Sequence, residues 1–250
     1  MSYREKMDLS GRLALVTGAG QGIGAACAQA LAETGATVIC TDIDLFRAEA
    51  TANWLGGTAS ARQLDVTNSS QLNDLASELP PLDVLVCNAG VVSNIPAEDM
   101  SDEEWDRVID VNLSGVFKTC RAFGRHMLEN GKGSIVNIGS MSAQIVNVPQ
   151  PQCHYNASKA GVHHLTRSLA IEWAKRGVRV NAVAPTYIET PLLQGLESQK
   201  GLVDRWLDLT PAGRMGKPEE IASIVQFLAS DASSLMTGSI VTADAGYTSI

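Results

Sequence analysis

Short runs of apolar and β-branched residues alternate with longer segments of helical hydrophobic period along the whole chain. Seven such runs predict strands, at Leu13–Val16, Thr37–Cys40, Ala61–Leu64, Val84–Cys87, Ser134–Ile138, Val178–Val183 and Ile240–Thr242. Segments of helical period lie between them, at Ile23–Leu31, Phe46–Leu55, Leu72–Leu79, Trp105–Leu128, Cys153–Ala174 and Ile221–Leu228. Strands that alternate with helices imply right-handed crossovers. We therefore predict an α/β fold: a doubly wound, seven-stranded parallel sheet of the Rossmann type with helices on both faces.

The sequence shows no boundary between domains. No repeat, low-complexity tract or flexible linker interrupts the alternation, and 250 residues is within the range of one α/β unit. We predict a single domain over residues 1–250. Within it, Pro191, Gly195, Gly201 and Pro211 punctuate an amphipathic stretch, so residues 186–211 are predicted to form a lid segment over a site.

Composition and charge exclude several classes of protein. The chain is 45% hydrophobic and 18% charged, which supports a large buried core and excludes intrinsic disorder. Nineteen Lys and Arg against 27 Asp and Glu give a net charge of −8, without a basic patch. This balance predicts no nucleic-acid partner and no membrane-surface partner. No apolar run approaches the ~18–20 residues of a membrane span.

Cysteine usage and the N-terminal residues indicate the compartment. The five cysteines are odd in number and widely spaced, at positions 27, 40, 87, 120 and 153. That pattern is typical of a reducing environment. The first residues mix charges and lack the apolar core of a signal peptide. We expect a cytoplasmic protein. Because adjacent helical residues point about 100° apart, His163 and His164 cannot easily share an ion, and no catalytic metal is expected.

A glycine-rich turn follows the first predicted strand and opens a helix. Its sequence is Thr17-Gly18-Ala19-Gly20-Gln21-Gly22-Ile23-Gly24. Residues without a Cβ let a pyrophosphate approach the backbone, and the N-terminus of a helix favours its negative charge. The turn therefore predicts a dinucleotide site that includes Gly18, Gln21, Gly22, Ile23 and Gly24. The alternative is an ordinary tight turn between a strand and a helix.

An acidic residue ends the second predicted strand. Asp42 follows Gly24 by eighteen residues. A carboxylate there can accept hydrogen bonds from the adenosine ribose and would repel a 2′-phosphate, which predicts NAD rather than NADP. No Arg or Lys lies in the glycine turn or at Ile43. Alternatively, Asp42 caps the helix that begins near Asp44.

Tyr155 and Lys159 lie four residues apart at the start of a predicted helix and so project from one face. A neighbouring ammonium favours phenolate, and we expect Lys159 to lower the pKa of the phenol from about 10. Such a tyrosine, beside a nicotinamide, can take the hydroxyl proton of an alcohol as hydride leaves the carbon. A Tyr/Lys pair at this spacing also arises by chance, so its meaning depends on the other motifs.

Together these motifs resemble the short-chain dehydrogenase/reductase family over essentially the whole chain. The matching pieces, in order, are Thr17-Gly18-x-x-x-Gly22-x-Gly24, Asp65-Val66, Asn88-Ala89-Gly90, Val111-Asn112-Leu113, Ser140 after Ile135–Gly139, and Tyr155-x-x-x-Lys159. Six ordered pieces at the spacings of the family are highly specific. The resemblance implies the same fold and an oxidoreductase that uses a nicotinamide cofactor.

The resemblance also implies roles for the individual residues of a catalytic set. Ser140 would polarise the substrate oxygen, Tyr155 would exchange its proton, and Lys159 would lower the pKa of the phenol and hold the nicotinamide ribose. Asn112 would anchor a water in a proton relay behind Lys159. On its residues alone the sequence leaves Ser142 as a rival of Ser140, and Asn112 could be a helical amide that faces solvent.

The remaining matches imply cofactor contacts. Asp65 and Val66 would contact adenine, Asn88, Ala89 and Gly90 would line the cofactor, and Ile188 and Thr190 would bind the carboxamide. On the residues alone, Asp65 could instead cap a helix before Asn68, and residues 88–90 could form a strand-ending turn. The chain departs from the family at Thr186, where a glycine is usual, and we expect its Cβ to narrow the space under the nicotinamide.

The segment between Ser140 and Tyr155 is rich in hydrogen-bonding side chains. They are Ser142, Gln144, Asn147, Gln150, Gln152 and His154, and Tyr187 and Glu189 are expected to face them. Polar groups left unpaired against an acyl chain or a steroid would cost about 1–3 kcal/mol each, so this segment favours a polyhydroxylated substrate. The substrate-binding residues predicted are Ser140, Ser142, Asn147, Tyr155 and Tyr187. A polar surface loop is the alternative.

The same segment resembles the polyol-dehydrogenase branch of the family, which oxidises galactitol, mannitol or xylitol to ketoses. The hypothesis is therefore an NAD-dependent enzyme that oxidises a secondary alcohol of a sugar alcohol. The alternatives are an NADPH-dependent 3-oxoacyl reductase of the same family and a nucleotide-binding regulator without catalysis. By resemblance, a homotetramer is expected, assembled through residues 154–174 and 217–242.

Overall fold

The apolar runs of the sequence form the centre of one parallel sheet, as predicted. The computed structural model describes residues 2–57, 59–194 and 201–249. Its sheet has seven parallel strands in the order β3-β2-β1-β4-β5-β6-β7. The strands are β1 (Leu13–Thr17), β2 (Thr37–Asp42), β3 (Ala59–Gln63), β4 (Val84–Cys87), β5 (Gly133–Ile138), β6 (Val178–Pro185) and β7 (Ile240–Ala243). The predicted fold class is confirmed.

Helices cover both faces of the sheet. They are α1 (Tyr3–Met7), α2 (Gly22–Glu33), α3 (Leu45–Leu55), α4 (Ser69–Glu78), α5 (Asp102–Ile109), α6 (Gly115–Asn130), α7 (Cys153–Trp173), α8 (Pro191–Gln194), α9 (Leu202–Asp208) and α10 (Pro218–Ala229). Because successive strand residues point to opposite faces, β1 sends Ala14 and Val16 into one core and Leu15 into the other. The first core packs against α2 and α10, and the second against α4, α6 and α7.

Most elements differ from their prediction by up to three residues at their ends, and two differ in a way that has a structural cause. The third strand begins at Ala59 rather than Ala61, because its pairing with β2 starts where Val38 meets Ala59. The single helix predicted over Trp105–Leu128 is two helices, α5 and α6, joined by a π turn at Asp110–Ser114. A π turn is a single-turn bulge inside an otherwise nearly continuous helix, and the prediction of one long helix missed it.

The topology creates a crevice at the carboxyl end of β1. Strand β1 lies between β2 and β4; from β1 the chain continues toward one edge of the sheet, and from β4 toward the other edge. The turns after β1 and β4 therefore diverge and leave an opening, which is where ligands usually bind in such sheets. The predicted lid stretch contains α8 and α9 on either side of residues 195–200, which lie outside the described residues. Among the described helices, none has the length and apolar character needed to cross a bilayer.

Candidate active site

Glycines shape the turn between β1 and α2, and hydrogen bonds from the side chain of Asn88 hold it in place. Gly18 and Gly22 have φ angles of +62° and +56°, a conformation that favours glycine. The side-chain amide of Asn88 donates to the carbonyl oxygens of Thr17 at 3.0 Å and Gly18 at 2.9 Å. A Cβ on Gly24 would lie 2.1 Å from the Gly18 carbonyl oxygen, so a glycine there lets α2 pack directly on the turn.

Opposite charges flank the outer end of the crevice. The Asp42 carboxylate accepts from the backbone N–H of Gly20 at 3.0 Å and from that of Asp44 at 3.1 Å. Asp44, not Asp42, caps α3. Arg47 also lines the crevice, donates to the Gln21 side chain at 3.2 Å and pairs with Asp44 at 3.3 Å. The sequence prediction missed this cation, although its place one helical turn after the cap could have indicated it.

Asp65 and Val66 line the same end, as predicted. The Asp65 carboxylate accepts from the backbone N–H and the hydroxyl of Thr67, at 2.8 and 2.7 Å. The N-cap of α4 is Asn68, whose side chain accepts from two backbone N–H groups. The alternative role of Asp65 as the helix cap is therefore wrong. Val66 packs against Gly115, where an added Cβ would lie 2.9 Å from the valine side chain.

Ser140, Tyr155 and Lys159 meet where β5 ends beside α7. The Lys159 ammonium donates to the Ile138 carbonyl oxygen at 2.8 Å and lies 5.6 Å from the centre of the Tyr155 ring. The Ser140 side chain is close enough to the Tyr155 phenol to lower its pKa. It also accepts from the backbone N–H of Ser142 at 3.1 Å and lies 3.0 Å from the Ser142 hydroxyl. Both serines therefore belong to the site, and Ser140 is the one that acts on the pKa of the phenol.

Burial acts on both members of the Tyr155 and Lys159 pair. It raises the pKa of the Tyr155 phenol, and the hydrogen bond with Ser140 opposes that rise. Burial lowers the pKa of the Lys159 ammonium to about 8. The expected lowering of the phenol pKa by Lys159 does not occur in the chain alone, because desolvation of the phenol outweighs the other contributions. The protonated phenol is therefore favoured in the chain alone, and a higher pH favours its ionised form.

Asn112 is fully buried inside the π turn, so its alternative as a solvent-facing amide is wrong. Its side-chain oxygen accepts from the backbone N–H of Val91 at 2.8 Å. Its amide donates to the Val91 carbonyl oxygen at 2.8 Å and to the Ser158 hydroxyl at 3.2 Å. Asn112 thereby joins the segment after β4 to α7, directly beside Lys159.

The inner end of the crevice contains a connected network of amides and aromatic rings. Tyr187 stacks on Trp206 with ring centres 4.0 Å apart. The Tyr187 hydroxyl accepts from Asn147 and Gln150, both at 3.0 Å. The Trp206 indole N–H donates to the Gln150 side-chain oxygen at 3.1 Å, which fixes the orientation of that amide. Gln152 donates to the Asn147 side-chain oxygen at 3.1 Å.

This network tests the predicted polar segment. Asn147, Gln150, Gln152 and Tyr187 face the crevice, as expected. Gln144 and Glu189 are exposed and do not line it, so the expectation that they face a substrate is wrong. Trp206, from α9, was missed, because a sequence pattern does not show which side chain of a distant segment folds over a site.

The predicted site residues converge on one crevice of about 460 Å³. The predicted cofactor residues that line it are Gly18, Gln21, Gly22, Ile23, Asp42, Asp65, Val66, Asn88, Ala89, Gly90, Tyr155, Lys159, Ile188 and Thr190. The predicted substrate residues that line it are Ser140, Ser142, Asn147, Tyr155 and Tyr187. Gly24 and Asn112 lie behind the lining and act through packing and hydrogen bonds.

The crevice fits a dinucleotide. An added Cβ on Gly22 would lie 3.2 Å from the Thr190 side chain, so only a glycine leaves the turn open at this point. Thr186, which also lines the crevice, has a buried hydroxyl oxygen without a hydrogen-bond partner, and so does the Asn94 side-chain oxygen. The backbone of Thr186 is not in the left-handed region, so its Cβ causes no backbone strain. Unpaired buried polar atoms at a crevice indicate that a polar ligand belongs there.

Comparisons with known proteins agree with this geometry. The family profile described as Enoyl-(Acyl carrier protein) reductase matches residues 18–248. The chain is 53% identical to galactitol 2-dehydrogenase of Rhizobium johnstonii, over 99% of each chain. It is 42% identical, with a TM-score of 0.94 over 99% of each chain, to a solved short-chain type dehydrogenase/reductase from Mycobacterium marinum. A gluconate 5-dehydrogenase from Burkholderia cenocepacia, solved with NADP and tartrate, is 34% identical with a TM-score of 0.95 over 100% of each chain.

Proposed function

Because this chain belongs to the short-chain dehydrogenase/reductase family, we propose that it oxidises a secondary hydroxyl of a sugar alcohol to a ketone with NAD. The observation that carries the proposal is the network of Asn147, Gln150, Gln152 and Tyr187 beside Tyr155. A polyol can exchange hydrogen bonds with this network along its carbon chain. The name of the relative from Rhizobium johnstonii, a galactitol 2-dehydrogenase, supports the same substrate class.

Three side chains perform the proton transfer in this proposal. In its ionised form, which alkaline pH favours, the Tyr155 oxygen takes the proton of the substrate hydroxyl, while the Ser140 hydroxyl donates to the same substrate oxygen. The Lys159 ammonium, anchored on the Ile138 carbonyl oxygen, holds positive charge behind the ring. A bound nicotinamide supplies the hydride acceptor. Asn112 holds Val91 against α7 through its hydrogen bonds. By the family resemblance, it also anchors the water of the proton relay.

For the cofactor we infer NAD. The Asp42 carboxylate stands at the end of β2, where ribose hydroxyls would donate to it and a 2′-phosphate would be repelled. Arg47 favours NADP instead, because its guanidinium lines the same end of the crevice and can attract the 2′-phosphate. NADP in the solved gluconate 5-dehydrogenase shows that relatives of this chain also bind the phosphorylated cofactor. The repulsion of a 2′-phosphate by Asp42 and its attraction by Arg47 together decide between NAD and NADP.

The lid, the assembly and the compartment are also proposals. The described parts of the predicted lid, residues 186–194 and 201–211, close over the substrate, supported by the contact of Trp206 with Tyr187 and Gln150. Four copies assemble through α7 and through α10 and β7, supported by the exposure of Ile171 and Leu235 on these elements or next to them. The four buried cysteines are unpaired thiols, which suits a reducing compartment such as the cytoplasm.

The decisive experiment measures initial rates with NAD across C4 to C6 polyols at alkaline pH, for the wild-type enzyme and Tyr155→Phe. The substituted ring still packs but has no proton to exchange. We expect turnover to fall by about three orders of magnitude or more, with little change in cofactor affinity measured by calorimetry. Near-normal turnover of Tyr155→Phe would remove the phenol from the mechanism.

The substrate panel separates the proposal from its main alternative. A 3-oxoacyl reductase would ignore polyols and reduce 3-oxoacyl thioesters with NADPH. Activity with thioesters alone would replace the proposed substrate class. A nucleotide-binding regulator would bind the cofactor and turn over neither class, although this chain retains Tyr155 and Lys159.

A further inference from the structure

The face of α7 that carries Tyr155 and Lys159 continues to a third polar residue. His163 follows Lys159 by four positions, so the three side chains stand on consecutive turns of one helical face. His163 is only 4% exposed, whereas its neighbour His164 is exposed to solvent. The proposed proton transfer does not use His163, and a buried imidazole beside an active site requires a reason.

The imidazole of His163 reaches the strand end that carries Ser140. Its Nε2 atom lies 3.5 Å from the backbone nitrogen of Ser140 and accepts a long, weak hydrogen bond from it. A Cβ on Gly139 would lie 2.3 Å from the same Nε2 atom. Because Gly139 has no Cβ, the imidazole ring of His163 can occupy this space. The backbone N–H of Gly139 donates to the Val183 carbonyl oxygen at 2.8 Å, so the strand end itself is fixed.

This contact determines the protonation state of the ring. A backbone N–H can only donate to a nitrogen that has a free lone pair, so the proton of the imidazole is on Nδ1. Burial, together with the positive charges of Arg167 and Lys159, lowers the pKa of His163 to about 4. The ring is therefore neutral at pH values well above 4, and its Nε2 remains an acceptor there.

We propose that His163 is a positioning residue, whose Nε2 atom fixes the backbone of Ser140 and so the direction of the Ser140 hydroxyl toward the substrate oxygen. The proposal rests on the function proposed above for Ser140. Without the imidazole the Ser140 N–H would be a buried donor with no partner, and the turn from Ser140 to Ser142 would lose one of its anchors. The role is to orient Ser140, so it should affect turnover more than binding.

The kinetic test compares His163→Leu, His163→Gln and the control His164→Leu, with whichever secondary alcohol the wild-type enzyme oxidises. We expect His163→Leu to lower kcat by about 10- to 100-fold and to leave KM and the cofactor Kd within about 3-fold. His163→Gln, which places an acceptor oxygen at a similar reach, should recover most of kcat. Equal losses in His163→Leu and His164→Leu, or no recovery by the glutamine, would overturn the proposal.

A second measurement does not depend on activity. Long-range nitrogen–proton NMR correlations of the wild-type protein should show a neutral His163 ring with its proton on Nδ1 and no titration between pH 5.5 and 9. A proton on Nε2, or a titration midpoint at about 6.5, would contradict the hydrogen bond to Ser140. If the wild-type enzyme oxidises no polyol, the proposed substrate class fails, while this spectrum still tests His163.

Discussion

At the scale of single residues, two opposite charges control the adenosine end of the crevice. Asp42 binds the backbone of the glycine turn through Gly20, and Arg47 reaches the same turn through Gln21. The carboxylate suits two ribose hydroxyls, and the guanidinium suits a phosphate. We therefore expect the cofactor preference of this enzyme to follow from a competition between Asp42 and Arg47 rather than from one residue.

We expect the wild-type enzyme to prefer NAD over NADP by at least about 10-fold in kcat/KM, and Asp42→Ala to reduce or reverse this preference. The substitution removes both the ribose acceptor and the repulsion of a 2′-phosphate. Arg47→Ala is the matched control and should lower kcat/KM with NADP more than with NAD. Initial rates with both cofactors at a saturating substrate concentration test this. A wild-type preference for NADP would show that Arg47 outweighs Asp42.

These two residues also show what the sequence can and cannot reveal about the site. Asp42 was predictable because it ends a strand at a characteristic distance from the glycine turn. Arg47 was not, because its reach toward the crevice depends on how α3 is rotated against β2. The same holds for Trp206 and Gln150, whose hydrogen bond joins two segments that are 56 residues apart in the chain. Strand ends are fixed by topology, whereas side chains from helices and from the segment over the site depend on tertiary packing.

At the scale of secondary-structure elements, the β1 to α2 turn is built from backbone packed on backbone. Gly24→Ala would bring a Cβ to 2.1 Å from the Gly18 carbonyl oxygen and 2.4 Å from the Asn88 amide. We expect the free energy of unfolding to fall by about 1–3 kcal/mol, and cofactor affinity to fall with it, because α2 and the turn must separate. Chemical denaturation and calorimetry measure the two effects.

The control is Gly57→Ala, at a glycine with no heavy atom within 4 Å of its added Cβ. This change should leave the free energy of unfolding within about 0.5 kcal/mol of the wild-type value. Equal behaviour of the two variants would mean that Gly24 does not hold the helix against the turn.

The elements themselves were largely predictable, and the exceptions have physical causes. Central strands such as β4 are buried on both faces, so their continuous apolar sequence identifies them. The edge strand β3 is mostly exposed or partly exposed, so its apolar content marks its ends poorly. The π turn at Asp110–Ser114 was missed because it keeps the helix nearly continuous while it turns Asn112 toward Val91. That local departure from helical geometry occurs at a residue of the site.

At the scale of the whole molecule, the proposed tetramer would cover exposed apolar residues on α7 and before β7. Ile171 is 81% exposed and Leu235 is 98% exposed. We expect light scattering to give a mass near four times the 26.5 kDa of the chain. Ile171→Glu should lower that mass, because a charge in an apolar interface is costly. Trp54→Glu, at an exposed ring on α3 away from both surfaces, is the control. A wild-type mass of one chain would refute the assembly.

The stacking of Trp206 on Tyr187 gives the enzyme an internal optical reporter. Trp206 is fully buried, while Trp54 and Trp105 are exposed and Trp173 is partly exposed. Its emission should therefore be the most blue-shifted of the four indoles and sensitive to the ring beneath it. Any movement that lifts α9 from the crevice separates the two rings and hydrates the indole. The wavelength of intrinsic fluorescence should thus follow the entry and departure of the alcohol in real time, without an attached label.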